Sequence, residues 1–451
     1  MALYYTCIIF VLYMGCGTIL QLISYRSQDI YLTGNPHITF WKWVYKRHTN
    51  FVMESIPQLF VNTIKLPKGN LAKPSTTIKS NKFSAIIDKK ADLIYDMYLE
   101  IELTEPLETK TDTSVISAGM IRRPAYYLIQ YVEMEIGGEV VDRLEGEWLD
   151  MWFQLSQTHE NYIKWERLIN GSLIKRATTT NGELTGEITY KFYVPLPFWF
   201  CKNYGLALPL IALKYNEVKF NVCFRNDLSI LRKKNDSNTI TTRPTIKHIE
   251  LFCDSIFLDL DEKKKFRTCH YEYLVEQVQY QGNYTFDQAE TNVNIKLKFS
   301  HPVKELFFIC QDSDLTTPTK ANFAPFSYNK SNNGTDLINK VRLLFNNNLR
   351  FAMRESTYFR TVQLYQHHTA GGYISNNKIN LQERGFIYVY SFALDPEEYQ
   401  PSGTCNFSRI DVPQLWLTLK ESIGSKKNIR IYAKSYNVFR LAGGMGGLLY
   451  V

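Results

Sequence analysis

The stretch Val132–Leu144, VEMEIGGEVVDRL, carries the clearest structural signal in the chain. Apolar residues alternate with charged residues on both sides of Gly137-Gly138, and this alternation is typical of a strand with one face on a core. Two adjacent glycines supply the positive φ angles that a two-residue hairpin turn requires. The stretch therefore predicts two antiparallel strands joined by a tight turn.

The same period of two recurs in both directions along the chain. Four apolar residues alternate with more polar ones in Met97–Thr104, and four more do so in Val293–Ser300. Each stretch predicts a strand with one face on a core. Further strands are predicted in Gly385–Leu394, Gln414–Leu419 and Ile429–Leu441.

Composition supports a globular, mostly-β protein. Hydrophobic residues make up 45% and charged residues 21%, which excludes a disordered or coiled-coil chain. Aromatic residues reach 14% and favour strands. The net charge of +8 is spread along the chain, so it does not indicate a specific nucleic-acid partner. The 451 residues exceed one ordinary domain and fit two of about 200 residues each.

One stretch, Gly146–Asn170, departs from the strand pattern. Trp148, Leu149, Trp152 and Leu155 fall at helical spacing. They predict one helix, or two short ones, inserted between strands as a cap over the end of a sandwich. We interpret the aromatic stripe as core packing rather than as a ligand site.

A polar segment near the middle of the chain, Arg225–Pro244, has the composition of a linker and predicts an exposed connection. We accordingly divide the chain into an apolar N-terminal arm (1–23), a first domain (24–225), a linker (226–246) and a second domain (247–451).

A weak internal echo suggests that the two domains are copies of one fold. Cys201, Pro209 and Leu213 have the same spacing as Cys405, Pro413 and Leu417, and both stretches are predicted to end in an apolar strand. Two all-β halves of this size fit antiparallel sandwiches, with the eight-stranded jelly roll as a natural candidate. The pattern alone does not separate a jelly roll from another sandwich topology.

The first 25 residues carry no charge, yet they lack the basic start and the small-residue cleavage site of a signal peptide. Three interpretations stay open: an apolar arm buried in an assembly, an anchor that touches a membrane, or a true start at Met14. Within an assembly, Ile19–Asn35 is the segment expected to form the inner arm.

The sequence predicts no catalytic, cofactor-binding or metal-binding residues. It contains no phosphate-binding loop and no nucleophile-elbow motif. The eight cysteines include no C-x-x-C pair and indicate buried free thiols in a reducing compartment. Gly443–Gly447 is not followed by a helix, so a flexible or tightly turned terminal strand is predicted instead of a phosphate site.

Three charged motifs have residue types found in functional sites, but each is interpreted as a solvated surface segment. His367-His368 is predicted to lie in a solvated loop, because adjacent strand residues point to opposite faces and no acid lies nearby in sequence. Glu54 and Glu397-Glu398 are interpreted as solvated acids rather than as a glycosidase pair. Asp261–Arg267 is interpreted as a solvated turn rather than as a nucleic-acid patch.

Longer motifs resemble one known family along nearly the whole chain, from Met14 to Val451. Ser27–Ser55 resembles the N-terminal signature of the major capsid proteins of nucleocytoplasmic large DNA viruses, of the iridovirus and phycodnavirus type. Further matches follow in the family's order: IGGEVVDRLEGEWLDMW from Ile136, VPLPFWFCKNYGLALPLIALKYNEV from Val194, LDLDEKKKFRTCHYEYLVEQVQ from Leu258, FSHPVKELFFICQ from Phe299, QLYQHHT from Gln363, VYSFALDPEEYQPSGTCNFSRID from Val389 and SYNVFRLAGGMGGLLYV from Ser435.

The resemblance implies an all-β double jelly roll, that is, two eight-stranded antiparallel sandwiches in one chain with small inserted helices. It further implies a homotrimer with a pseudo-hexagonal footprint that contacts neighbouring capsomers and minor capsid proteins in an icosahedral shell. The family's capsid encloses a lipid membrane, which the N-terminal arm is expected to contact, and it assembles in the host cytoplasm. We therefore expect a structural virion protein that is not an enzyme and needs no cofactor.

Two other functions remain as alternatives at this point. The first is a double-jelly-roll scaffold or minor capsid paralogue, which sequence alone does not separate from the major shell protein. The second is a carbohydrate-active enzyme or lectin on a β-sandwich, since aromatic surfaces can stack on sugars.

Overall fold

The structure is a computed structural model, and it describes residues 16–24, 26–61, 81–106, 121, 123–175, 178–180, 183–185, 187–225, 245–317, 324–328, 336–370, 386–420 and 426–450. The chain divides into two compact units, Met1–Asn50 and Phe51–Val451. The described residues of the first unit include two short helices, α1 (Cys16–Ile23) and α2 (Ile30–Thr33). Among the described residues, no helix is both long and apolar enough to span a bilayer.

The second unit begins with a sandwich of two antiparallel sheets, the first sandwich. Its strands are β1 (Phe51–Gln58), β2 (Lys82–Ile86), β3 (Leu93–Pro106), β4 (Ile129–Ile136), β5 (Glu139–Glu145), β6 (Ser172–Lys175), β7 (Thr178–Thr180), β8 (Glu183–Thr185), β9 (Glu187–Pro195), β10 (Leu208–Pro209), β11 (Val218–Phe224) and β12 (Thr245–Leu258). Its helices are α3 (Pro124–Leu128), α4 (Gly146–Ser156) and α5 (His159–Asn170), with 3-10 turns at Trp199–Cys201, Tyr204–Leu206 and Leu210–Ala212.

The remaining strands form the second sandwich, which follows helix α6 (Leu260–Thr268). Its strands are β13 (Tyr271–Phe286), β14 (Asn292–Lys296), β15 (Pro302–Asp312), β16 (Ile338–Phe345), β17 (Asn348–Glu355), β18 (Tyr388–Ser391), β19 (Cys405–Asn406), β20 (Pro413–Leu419), β21 (Lys427–Ala442) and β22 (Met445–Leu448). It also contains α7 (Ser313–Thr316), a π-helical segment (Tyr358–Val362) that continues into α8 (Gln363–His367), and a 3-10 turn at Phe407–Arg409.

The two sandwiches have the same strand order. The first pairs β1-β12-β3-β9-β6 in one sheet and β2-β11-β4-β5 in the other. The second pairs β13-β21-β15-β18 and β14-β20-β16-β17. Eight strands of the first sandwich correspond, in chain order, to the eight strands of the second, and β6 extends one sheet of the first by a further strand. The short strands β10 and β19 both pair with an equivalent strand, β3 and β15, whereas β7 and β8 form a separate two-stranded sheet. This is the jelly-roll topology twice, as predicted.

The alternating stretches form strands with the expected faces. Met97, Leu99, Ile101 and Leu103 are fully buried in the core. The four apolar residues of Val293–Ser300 are buried too, although β14 covers only the first part of that stretch. The hairpin β4–β5 turns at Gly137-Gly138 with φ angles of 64° and 89°. Local periodicity was therefore sufficient to locate these elements and their core faces.

The strand β12 changes the expected domain boundary. Thr245–Leu258 pairs with β1 and β3 of the first sandwich, whereas the division at 246/247 would assign it to the second. A boundary near Asp259 fits the pairing, because α6 and the second set of strands begin there. Residues 226–244 of the predicted linker (226–246) lie outside the described residues, and so do residues 1–15 of the predicted arm.

The duplication is present, but the sequence echo does not align equivalent elements. Cys405 and Pro413 lie on β19 and β20. Cys201 lies in a 3-10 turn, and Pro209 lies on β10, which is the counterpart of β19 rather than of β20. The stretch after Pro209 forms a 3-10 turn instead of the predicted strand.

Candidate functional site

Helix α4 lies at the contact between the two sandwiches. It was predicted as a cap over a sandwich end, but all of its residues except Phe153 and Ser156 are buried, and its aromatic face meets the second sandwich. The Trp148 ring lies 4.9 Å from the Phe307 ring in edge-to-face contact and 5.7 Å from the Tyr432 ring. Such aromatic contacts add to the free energy gained from buried area. Two short helices, α4 and α5, were among the predicted possibilities.

Glu147 of α4 forms a buried ion pair with Arg430 of β21. The Tyr432 hydroxyl donates to the same carboxylate at 3.2 Å, and the Arg430 guanidinium also donates to Gln311. Burial lowers the pKa of Arg430, but the Glu147 carboxylate and the neighbouring tyrosines together outweigh burial and raise the pKa above its ordinary value. The pair therefore joins the two sandwiches through a charge that has little access to water.

A second buried ion pair anchors α4 to its own sandwich. The Arg123 guanidinium lies 2.8 Å from the Asp150 carboxylate, and Gln154 donates to that carboxylate at 2.7 Å. The Tyr328 hydroxyl, from the second sandwich, also donates to Asp150 at 3.0 Å. Burial raises the pKa of Tyr328 well above its ordinary value, so the hydroxyl remains a donor.

Three lysines surround one carboxylate at the same contact. Lys202 comes from the first sandwich, whereas Lys304, Lys434 and the Glu276 carboxylate come from the second. The Lys434 ammonium lies 3.1 Å from Glu276 and 3.5 Å from the centre of the Trp152 ring of α4. Burial raises the pKa of Glu276, but the lysines outweigh burial and lower it. Burial lowers the pKa of Lys434 well below its ordinary value.

Beside this cluster, His368 lies between two carboxylates. Its Nε2 is 3.0 Å from Glu305 and its Nδ1 is 2.8 Å from Glu397. The prediction of a solvated loop is wrong for His368, whose side chain is fully buried, and for Glu397, whose side chain is 19% exposed. His367 is partly exposed and contacts the Leu394 carbonyl, so the two histidines separate. The two acids are not neighbours of His368 in sequence: Glu305 lies on β15, and Glu397 lies in a loop 29 positions after His368.

The other charged candidates remain apart. Glu54 lies exposed on β1, and Glu398 is exposed next to Glu397. The run Asp261–Arg267 is part of helix α6 rather than a turn; it has no buried residue, and Lys263 pairs with Asp92 at 2.9 Å. Glu54 lies in the first sandwich, whereas Glu397 and Glu398 lie in the second, where Glu397 accepts from Thr369 and contacts His368.

The C-terminal glycines form a tight hairpin that also touches the first sandwich. Gly443 and Gly444 have φ angles of 61° and 84° and link β21 to β22. The Tyr215 amide donates to the Gly444 carbonyl at 3.0 Å, and the Asn216 side chain donates to the Gly446 carbonyl at 2.9 Å. The predicted tightly turned terminal strand is confirmed.

One group of side chains has the composition of a cation site. Among the described residues, only Glu100, His248 and Glu250 bring three such ligand atoms within 4.8 Å of one another. The Lys191 ammonium already pairs with Glu100, and His248 lies 3.4 Å from Glu250. These contacts explain the group as a surface ion-pair network, and we assign no metal to it.

The six cysteines whose side chains the structure describes are free thiols. Cys253 and Cys310 are buried, and burial raises the pKa of the Cys310 thiol to about 12. Cys269 is exposed, so the prediction of a buried thiol is wrong for this residue.

Comparison with known proteins identifies the family. Residues 39–259 match the family model described as the major capsid protein N-terminus, and residues 262–447 match that of the large eukaryotic DNA virus major capsid protein. The chain belongs to this capsid protein family. The junction of the two matches falls at the start of α6, where the strand pairing also changes from one sandwich to the other.

Relatives of this capsid-family chain cover almost its full length. It is 36% identical to the major capsid protein of Pyramimonas orientalis virus and 34% identical to that of Paramecium bursaria Chlorella virus 1; both alignments cover 96% of this chain and 99% of the relative. The crystal structure of PBCV-1 VP54 superposes with a TM-score of 0.68 at 32% identity, covering 92% of this chain and 100% of that one. The Faustovirus major capsid protein shares the fold, with a TM-score of 0.66 at 14% identity.

The buried charged residues described above meet at the contact between the two sandwiches. Sequence reasoning found Trp148 and Trp152 as a helical stripe but missed the charged residues Glu147, Arg430 and Glu276. Charged residues inside predicted strands, such as Arg430 and Lys434 in Ile429–Leu441, were the available signal.

Proposed function

We propose that this chain is the major capsid protein of a large DNA virus and forms its icosahedral shell. The observation that carries the proposal is the repeated jelly roll, which occupies the chain from β1 to β22 and matches the family over almost its whole length. The chain also matches a quasi-atomic model of the PBCV-1 capsid, with a TM-score of 0.67 at 31% identity.

The assembling unit is a homotrimer. Two equivalent sandwiches in each of three chains give six similar bodies around an axis, and such a ring tiles a hexagonal lattice. The fused duplication supports this arrangement, because the buried ion pairs and aromatic contacts of α4 hold the two sandwiches together as neighbours would be held in a ring.

Assembly depends on interface chemistry rather than on catalysis. Apolar surface buried between subunits contributes about 25 cal/mol per Å² before ordering costs are subtracted. Several large apolar side chains of the first unit are more than nine-tenths exposed in the single chain, which supports burial against partners: Tyr31, Trp41 and Trp43. The relatives are structural proteins, and this chain acts without an enzymatic step or a cofactor.

Further partners follow from a place in the shell. Neighbouring capsomers and minor capsid proteins contact the trimer's sides, and the apolar N-terminal arm contacts the membrane inside the capsid. The protein is located in the virion after assembly in the host cytoplasm. Specific binding of nucleic acid has no place in this function, since the positive charge is spread along the chain.

Light scattering coupled to size-exclusion chromatography tests the proposal. At micromolar concentration the purified full chain should have three times its monomer mass of 52.7 kDa, and electron microscopy should show pseudo-hexagonal particles. A stable, folded monomer under these conditions would contradict a self-assembling shell protein.

A minor capsid or scaffold role is the second candidate. It is favoured by the match to relatives that are not called major, such as capsid protein 1 of Acanthamoeba polyphaga mimivirus, at 25% identity over 96% of this chain. Stoichiometry in purified virions separates the two roles, because a major shell protein must be among the most abundant proteins of the particle.

A further inference from the structure

Two equivalent sheet faces differ in what covers them. We name the side of sheet β1-β12-β3-β9-β6 that points away from the core the first outer face, and the same side of sheet β13-β21-β15-β18 the second outer face. Helix α4 covers the second outer face, where Trp148 sits on the pair Phe307 and Tyr432. Phe307 and Tyr432 are at most 1% exposed.

The first outer face carries a matching aromatic pair. Tyr98 faces Phe252 across strands β3 and β12, as Phe307 faces Tyr432 across β15 and β21. The Tyr98 and Phe252 rings stack at a centroid distance of 4.9 Å with an angle of 7° between their planes. Both rings are partly exposed. The first outer face therefore has an aromatic pair like the one on which Trp148 packs, and this pair remains accessible in the single chain.

The second sandwich carries a helix equivalent to α4. Residues 356–367 follow β17 directly, as α4 follows β5. In sequence, Tyr358 follows Glu355 at the same distance as Trp148 follows Glu145, and the next residues, Leu149 and Phe359, are both fully buried.

This second helix, unlike α4, has an uncovered side. Thr357, Thr361, Val362 and Tyr365 are exposed, and Tyr365 is 88% exposed. The residues of α4 at the corresponding distances from Glu145 are all buried at the contact between the sandwiches. The single chain therefore exposes both the aromatic pair Tyr98 and Phe252 and a second helix equivalent to the one that covers such a pair.

The two outer faces carry charges of opposite sign at equivalent positions. Where α4 brings Glu147 to Arg430 of the second outer face, the first outer face has Glu250 at the position equivalent to Arg430 and Asp254 at that of Lys434. The second helix has Thr357 at the distance at which α4 has Glu147, and its Arg360 pairs with Asp336 of its own sandwich. The residue that precedes this helix at the end of β17, Arg354, is exposed and basic. Its charge is complementary to Glu250 and Asp254 of the first outer face.

We propose that the first outer face binds residues 356–367 of a second copy of this chain, with Tyr358 of that copy seated on Tyr98 and Phe252. The proposal rests on the self-assembly proposed above and names the surfaces that carry it. The contact is head-to-tail, since a face of one copy meets a helix of the next. It repeats between chains the contact that α4 makes within a chain, and three copies then close a ring in which every outer face is covered.

A photo-crosslinking amino acid at Phe252 of the full chain tests the placement. Mixing isotopically labelled and unlabelled copies distinguishes crosslinks between chains from those within one. Crosslinks from Phe252 are expected in peptides containing residues 356–367 of another copy. The control position is Ile86, which is 41% exposed on the opposite sheet of the same sandwich, and it should give no crosslink to those peptides.

Two single variants test the energetic role. Phe252→Asp changes the aromatic pair, and Tyr365→Asp changes an exposed position of the helix that leaves the core untouched. Each should weaken the trimer about tenfold or more, because a charge then replaces a ring at the contact, while circular dichroism of the dissociated chain stays as in the unmodified protein. Ile86→Asp should leave the trimer at its original strength.

The outcomes separate this inference from the proposed function. Trimers that form without the crosslink, that crosslink Phe252 only to residues 1–50, or that tolerate both Asp substitutions would overturn the inference and leave the shell function standing. A full chain that never forms a trimer would overturn the shell function, and this contact with it.

Discussion

Glu147 and Arg430 show how strongly a single side chain can bear on the contact between the sandwiches. We expect Glu147→Leu to lower the free energy of unfolding by about 3–5 kcal/mol, because the buried guanidinium loses its carboxylate. Adding Arg430→Met should recover most of that loss, since no unpaired charge then remains buried. Urea denaturation measures both variants.

The matched control for this pair is Glu398→Leu at an exposed site, where the effect should stay within about 0.5 kcal/mol. A loss below about 1 kcal/mol for Glu147→Leu would show that water reaches Arg430 and that the pair does not hold the sandwiches together.

His368 gives the fold a defined dependence on pH. Burial lowers its pKa, but Glu305 and Glu397 outweigh burial and raise the pKa from 6.5 to about 9. Because the folded state binds the proton more tightly than the unfolded state, the stabilisation is complete below about pH 6.5 and is lost as the pH rises through about 9. The difference in unfolding free energy between the unmodified protein and His368→Gln should therefore shrink over this interval.

Denaturation curves at several pH values test this dependence. The difference between the two proteins removes the contribution of other groups, such as Asp142 of β5, whose pKa burial raises to about 7. The same substitution at the exposed His270 serves as the matched control for the loss of a histidine side chain. A difference that stays constant for His368→Gln from pH 6 to about pH 9.5 would contradict the arrangement between two carboxylates.

At the scale of elements, the β4–β5 hairpin offers a graded test of its two glycines. A Cβ at Gly137 would lie 2.2 Å from the Asn216 side-chain nitrogen, whereas one at Gly138 would meet no atom within 4 Å. Gly138→Ala should cost about 1–2 kcal/mol for its left-handed backbone alone. Gly137→Ala should cost clearly more, because it also displaces the Asn216 side chain from the Gly446 carbonyl.

Thermal unfolding of the two alanine variants measures this difference, and Gly138→Asn is the matched control because asparagine tolerates positive φ angles. Equal losses at the two positions would mean that Asn216 moves freely and that the C-terminal hairpin does not depend on it.

The equivalent helices of the two sandwiches show that the duplication was modified element by element. In the first, Asp150 of α4 pairs with Arg123; in the second, Arg360 pairs with Asp336 at 2.9 Å. A tyrosine hydroxyl donates to the aspartate in each case, from Tyr328 and from Tyr388. The acid lies on the helix in the first sandwich and the base lies on the helix in the second. An ion pair is kept in both, because the partner outside the helix has the opposite charge in each case.

At the scale of the whole molecule, shortening the N-terminal arm tests whether this arm contacts a membrane. A chain that starts at Met14 should fold and form trimers as the full chain does, because the first jelly-roll strand begins at Phe51. It should bind liposomes less, since the uncharged stretch Leu3–Leu12 is removed. Flotation with vesicles and light scattering measure the two properties.

The intact mass of the protein in virions answers the prior question about this arm. A mass that corresponds to a start at Met14 would show that residues 1–13 of the arm are absent from the mature protein, and the membrane contact proposed for them would be ruled out. Loss of trimers in the shortened chain would instead place the arm within the assembly interface.

The amino-acid sequence by itself determined the strands, the β4–β5 turn, the helical stretch and the presence of two β halves. These features depend on neighbours in sequence: alternation sets the faces of Met97–Thr104, and adjacent glycines set the turn at Gly137-Gly138. The long family motifs added the topology that periodicity alone left open, because jelly rolls and other sandwiches share the same period.

Only the tertiary structure decided which residues meet across the two sandwiches. In the structure, β12 belongs to the first sandwich, and α4 lies at the contact between the sandwiches rather than at a sandwich end. His368 is buried between Glu305 and Glu397. Glu147 and Arg430 lie 283 positions apart. Such pairs leave no local period in the sequence, because a buried charge is stabilised by whichever partner the fold brings within about 4 Å.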